Sequence, residues 1–134
     1  MKIDHIAIWT DQLEVMKKYY MTFFGANPRD NYCNRNTHFE SCFLSFDSGA
    51  RIELMSSPDI PANMNNTIER QYLGIIHLAF GLENADQVYE KYMELQKAGF
   101  PILDGPRKTG DGYYEFVTLD PGKNRIEVTT KLPI

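Results

Sequence analysis

The sequence predicts an α+β protein built as two βαβββ modules in tandem. Residues 1–55 form the first module, 56–73 a linker and 74–134 the second, all within a single domain. Three observations carry this reading. Ile75-Ile-His-Leu-Ala-Phe80 repeats Ile3-Asp-His-Ile-Ala-Ile8, each a short apolar run with histidine third. Arg51-Ile-Glu-Leu54 is answered by Arg125-Ile-Glu-Val128. Glu53 follows His5 by 48 residues and Glu127 follows His77 by 50, and matched internal spacing of this kind is what a duplicated structural unit leaves in a sequence.

In the first module, Ile3 to Trp9 alternates as a strand, with His5, Ala7 and Trp9 on one face and Asp4, Ile6 and Ile8 on the other. Thr10 or Asp11 is placed to cap the next helix, with Glu14 at a capping-box position. Leu13, Met16, Tyr20 and Phe23 form its apolar stripe, and Gly25 with Pro28 ends it. A polar stretch to Thr37 holds a short strand or loop. Phe39 to Phe46 is a strand, 47–50 a turn and Arg51 to Met55 its hairpin partner.

Ser56 to Tyr72 is the least patterned stretch and reads as the linker. The same order then returns. Ile75 to Leu82 is a strand, and Asn84 or Asp86 begins a helix through about Ala98, with Val88, Tyr92 and Leu95 as its stripe. Gly99 ends it and a strand starts at Phe100. Residues 105–112 read as a glycine-rich loop, Tyr113 to Leu119 as a strand, 120–124 as a turn and Arg125 to Thr130 as the last strand. A small sheet with one helix on one face must cover its other face. Pairing the two modules is expected to leave mixed sheets curling around a concave cavity.

Face arithmetic directs the chemistry. If Ile6 and Ile8 pack under the first helix, His5 points to the concave side, and Ile76, Leu78 and Phe80 do the same for His77. Glu53 and Glu127 oppose the apolar residues beside them. His5, Glu53, His77 and Glu127 are therefore candidate ligands of one divalent ion between the modules. Imidazole and carboxylate donors suit Zn, Ni, Co, Mn or Fe, and a four-ligand site with room for water can act as a Lewis acid. Arg51 and Arg125 share the cavity-facing register, and Arg107 and Tyr113 sit in or beside the glycine-rich loop, so these four are candidate substrate-binding residues. His38 is a weaker candidate for a third imidazole, since a histidine in a half-polar strand is more often a surface residue.

Composition bounds the rest. The chain has 134 residues, 43% hydrophobic and 24% charged, which is globular and large enough for a core. A net charge of −4 without a basic run argues against nucleic acid. No apolar run reaches membrane-spanning length and the N-terminus lacks a signal-peptide core, so the expected location is the cytoplasm. Two cysteines, Cys33 and Cys42, are too few for a disulfide framework and are expected as free thiols.

The repeat, Asp4-His-Ile-Ala-Ile8, Ile76-His-Leu-Ala-Phe80 and Leu119-Asp-Pro-Gly-Lys-Asn-Arg-Ile-Glu127 together resemble the vicinal oxygen chelate superfamily, the glyoxalase, bleomycin-resistance and extradiol-dioxygenase group. The resemblance spans essentially the whole chain. It implies the fold of that group, with isomerising members using four protein ligands at the positions of His5, Glu53, His77 and Glu127. It also implies a glyoxalase-like lyase or isomerase, related to lactoylglutathione lyase, acting on a small substrate with adjacent oxygens by proton transfer through a metal-stabilised enediolate. Glu127 or Glu53 would be the base. Extradiol dioxygenases match at His5, His77 and Glu127 alone, and drug-sequestering members often lack the ligands, so these stand as the alternatives. A two-fold homodimer is the assembly the resemblance implies, with the site completed within one chain or across two.

Overall fold

A computed structural model describes residues 1–134, which divide into two compact units, Met1–Asn63 and Met64–Ile134. In the first, strand β1 (His5–Trp9) leads into helix α1 (Leu13–Phe24), followed by β2 (Asn27–Pro28), β3 (Tyr32–Asn34), β4 (Phe39–Ser45) and β5 (Arg51–Ser56). In the second, β6 (His77–Gly81) leads into α2 (Ala85–Lys97), then β7 (Ile102–Lys108), β8 (Tyr113–Leu119) and β9 (Arg125–Lys131). The second unit is βαβββ. The first has the same plan, with two short strands where the second has the long β7.

Each sheet puts its first strand beside its last. The first unit has the order β1-β5-β4-β2, with β3 also on β4, and the second has β6-β9-β8-β7. The β1/β5 and β6/β9 pairs are parallel and the others antiparallel, so both sheets are mixed. The registers repeat as well. Ala7 lies opposite Glu53, and Ala79 opposite Glu127. Beyond the strand ends, Thr10 N–H donates to Met55 O as Leu82 N–H donates to Thr129 O.

The helices cover the apolar faces because alternate residues on the central strands are apolar. Ile52, Leu54, Cys42 and Leu44 are buried with Met16 and Tyr20 of α1, and Phe116, Ile126 and Val128 with Val88 and Leu95 of α2. The ring of Tyr92 packs edge-on against Phe116 at 5.8 Å. Tyr19 joins the α1 stripe as a buried residue, and Phe23 is only half-buried.

Two local expectations are corrected. Gln12, not Thr10 or Asp11, is the N-cap of α1, and no side chain caps that helix. The Thr10 hydroxyl instead accepts from Gln12 N–H at 3.0 Å, closing a tight turn between β1 and α1. Asn84 does cap α2, accepting from Gln87 N–H at 2.9 Å. The second correction is in the glycine-rich segment. Gly105 to Lys108 belong to β7, where register shifts against β8 absorb Gly105 at φ 78°. A Cβ there would stand 2.5 Å from Glu115 O, so glycine is required by close backbone approach as well as by φ.

Candidate functional site

Each unit presents one histidine and one glutamate on the sheet face opposite its helix. His5 leads β1, one pleat period before Ala7, and Ala7 is level with Glu53 on the neighbouring β5. The Nε2 atom of His5 is 3.4 Å from Glu53 Oε2. In the second unit the same register brings His77 Nε2 to 3.3 Å from Glu127 Oε2. The glutamate side chains are mostly covered, 16% and 14% exposed, whereas the histidines are over a third exposed. Nowhere in the chain are three His, Cys, Asp or Glu side chains gathered so that they could hold one ion; what the structure brings together is the two separate His–Glu pairs.

The turn before β9 helps place Glu127. Asp120 is buried and accepts from the backbone and side-chain amides of Asn124 at 2.9 to 3.1 Å, which sets where Arg125 enters the strand. Burial, the chief cause, raises the Glu127 carboxyl above the usual carboxylate range. Glu115 pushes the same way, against the opposing pull of His77 and Arg107.

Around His5 the sheet supplies more. Asp4 Oδ2 lies 2.7 Å from His5 Nδ1 and also 2.7 Å from Arg51 Nη2. These two hydrogen bonds, His5 first, together with the Arg51 charge, hold the Asp4 carboxyl at about 2. The Arg51 guanidinium lies over the Phe43 ring at 4.4 Å, and the same ring meets His5 edge-on at 5.3 Å. Asp4 is a residue that alternation alone misses. It precedes the first paired residue of β1, so the strand rule that put it opposite His5 does not bind its side chain. An acidic residue directly before the histidine was the available signal.

The remaining candidates are placed as follows. Arg51 is tied to Asp4, while Arg125 Nη1 donates to Thr67 O at 2.8 Å. Arg107 pairs with Asp104 at 2.8 Å and approaches Glu115 at 4.0 Å. Tyr113 carries Lys131 Nζ over its ring at 4.4 Å. His38 is exposed at φ 60°, in the turn between β3 and β4, and its N–H donates to Asn34 O. Surface depressions lined by Pro28, Arg29 and Asp30, and by Met64, Asn66, Glu69, Arg70 and Tyr72, include none of the four candidate ligands.

The donor pairs fit a divalent ion. A nitrogen and an oxygen each bound at about 2.1 Å stand roughly 3.0–3.4 Å apart for bond angles between right and tetrahedral. Both observed separations lie in that interval and are longer than ordinary N–H···O bonds. With Nδ1–H donating to Asp4, a neutral His5 ring would turn its lone pair toward the Glu53 carboxylate. A cation between that lone pair and the carboxylate, a proton or a metal ion, makes the approach favourable.

Comparison with known proteins gives one family. A search of the curated proteins finds none that matches. Among solved structures, a glyoxalase family protein from Bacillus cereus is similar with TM-score 0.78 and 16% identity, over 99% of this chain and 95% of that one. The trypanothione-dependent glyoxalase I of Leishmania major has TM-score 0.76 and 19% identity, over 97% and 86%. Lactoylglutathione lyase from Agrobacterium tumefaciens has TM-score 0.66 and 18% identity, over 96% and 92%. At these identities the likeness establishes the fold. The family model of the Glyoxalase/Bleomycin resistance protein/Dioxygenase superfamily matches residues 2–128, and with the duplicated βαβββ plan and its paired histidines and glutamates, the chain belongs to that superfamily.

Proposed function

We propose that this chain is a divalent-metal-dependent lyase or isomerase that moves a proton within a small substrate carrying two adjacent oxygens. The observation that supports it is the repeated His–Glu pair, at 3.4 and 3.3 Å and in identical register. Each pair offers two ligands. His5, Glu53, His77 and Glu127 make a set of four, drawn from one chain or from two chains of a homodimer. When bound, a divalent ion supplies electrostatic stabilisation of negative charge on the substrate oxygens.

The chain's own residues do the rest. A glutamate of the set, Glu127 or Glu53, takes the proton from the carbon beside one oxygen and returns it to the neighbouring carbon. The atoms of the substrate are conserved. Arg107, whose charge reaches Glu127, supplies positive charge for an anionic substrate group.

The test combines metal content and turnover. Protein purified without chelator should hold about one divalent ion per four-ligand set. Reconstituted with Ni, Co, Zn or Mn, it should isomerise a member of a panel of 2-oxoaldehyde–thiol adducts without oxygen. A content below about a tenth of an ion that added metal does not restore overturns the reading. Oxygen consumption with catechols in its place would assign dioxygenase chemistry. Ligand binding that survives His77→Ala would assign a sequestering protein.

A further inference from the structure

We infer that Asp4, held by Arg51, is a positioning residue that fixes the tautomer of His5, and that the two His–Glu pairs are therefore unequal halves. The inference rests on the reading of those pairs as metal ligands. An ionised carboxylate can only accept, so the 2.7 Å contact between Asp4 Oδ2 and His5 Nδ1 puts the ring proton on Nδ1. The neutral ring then carries its lone pair on Nε2, the atom 3.4 Å from Glu53 Oε2.

The lock is built from three directions. Arg51 N–H donates to Asp4 O at 3.0 Å, which ties residue 4 to the edge of β5 just before the pairing of β1 begins. The Arg51 side chain donates to the same Asp4 oxygen that takes the His5 proton, at 2.7 Å. Phe43 supports both, stacking under the guanidinium and meeting the imidazole edge-on. The histidine thus has its ring plane and its proton set before any ion arrives.

The second unit lacks this device although it repeats everything else. The residue before His77 is Ile76, whose side chain accepts nothing. Arg125, level with His77 as Arg51 is with His5, gives its guanidinium to the Thr67 carbonyl instead. Carboxylates behind a ligating histidine orient the ring and raise its basicity, and losing one typically lowers metal affinity about 10–100-fold. The first pair is accordingly the preorganised half and the second the adaptable one.

Imidazole nitrogen NMR and nickel titration of full-length protein test this together. In metal-free wild type, His5 should show the Nδ1–H form. In Asp4→Ala it should shift toward Nε2–H, with His77 signals unmoved as a control for the fold. Nickel affinity should fall about 10–100-fold in Asp4→Ala and less in Asp4→Asn, which keeps an acceptor but no charge. An unchanged His5 tautomer in Asp4→Ala, or a changed one with undiminished nickel affinity, overturns the positioning role alone. Wild type that binds no nickel overturns the proposed function, and the inference with it.

Discussion

His77 Nε2 and Glu127 Oε2 lie 3.3 Å apart although 50 residues separate them in the chain. The parallel pairing of β6 with β9 makes the contact, because Ala79 sits level with Glu127 and His77 one pleat period earlier. An ionised Glu127 is partly stripped of water there. A raised carboxyl means the folded state binds its proton more tightly than the unfolded chain, so ionisation costs stability at neutral pH. Glu127→Gln should therefore raise the melting temperature of chelator-treated protein at pH 7. That gain should shrink as pH falls and wild-type Glu127 protonates. Equal melting temperatures across the range would refute it.

Asp4 carries the opposite sign. Its carboxyl is lowered from 3.8 to about 2, so its contribution is present above the unfolded value and is lost as pH falls through the folded one. Carbon NMR of the carboxylates should find the Asp4 midpoint near 2, moving back toward 3.8 in Arg51→Met.

The two thiols should differ sharply. Cys33 is exposed, whereas Cys42 is 1% exposed and its thiol is pushed up chiefly by burial. A thiolate-trapping reagent should modify Cys33 rapidly and Cys42 only in denaturant. Rapid modification of both in native protein would contradict the packing of β4 under α1.

Leu54 is fully buried on β5, level with Ile8 on one side and Cys42 on the other. Leu54→Ala should cost about 2–5 kcal/mol in denaturant unfolding. Since Glu53 lies on the opposite face of the same strand, nickel affinity of the folded fraction should change far less than in Glu53→Gln.

Gly105→Ala should destabilise by about 1–3 kcal/mol, since residue 105 has positive φ and the added methyl meets the backbone of β8. Gly49→Ala, at φ 82° but in open space, should be milder. Comparing their unfolding midpoints separates the clash from the backbone preference.

The duplication, the strand and helix order, the free cysteines and the alternation that puts His5, Glu53, His77 and Glu127 opposite the helices were all legible in the residues. Local pattern suffices for these, because periods of two and of 3.6 residues decide which side chains an element buries. The cap of α1 was not legible, since Thr10, Asp11 and Gln12 can each open a helix and the turn geometry chooses among them. Nor was the extent of β7, because a glycine–proline pair reads as a loop until a neighbouring strand takes it into register.

By itself, then, the order of amino acids determined that two similar units would form, and which face of each would carry an imidazole and a carboxylate. Only the tertiary structure decided how those groups are partnered. Parallel pairing of first and last strands brings each histidine to its glutamate across some fifty residues of chain. It also turns Arg51 to Asp4 and Arg125 to Thr67, and that difference comes from what lies within a hydrogen bond's reach once the sheets are folded.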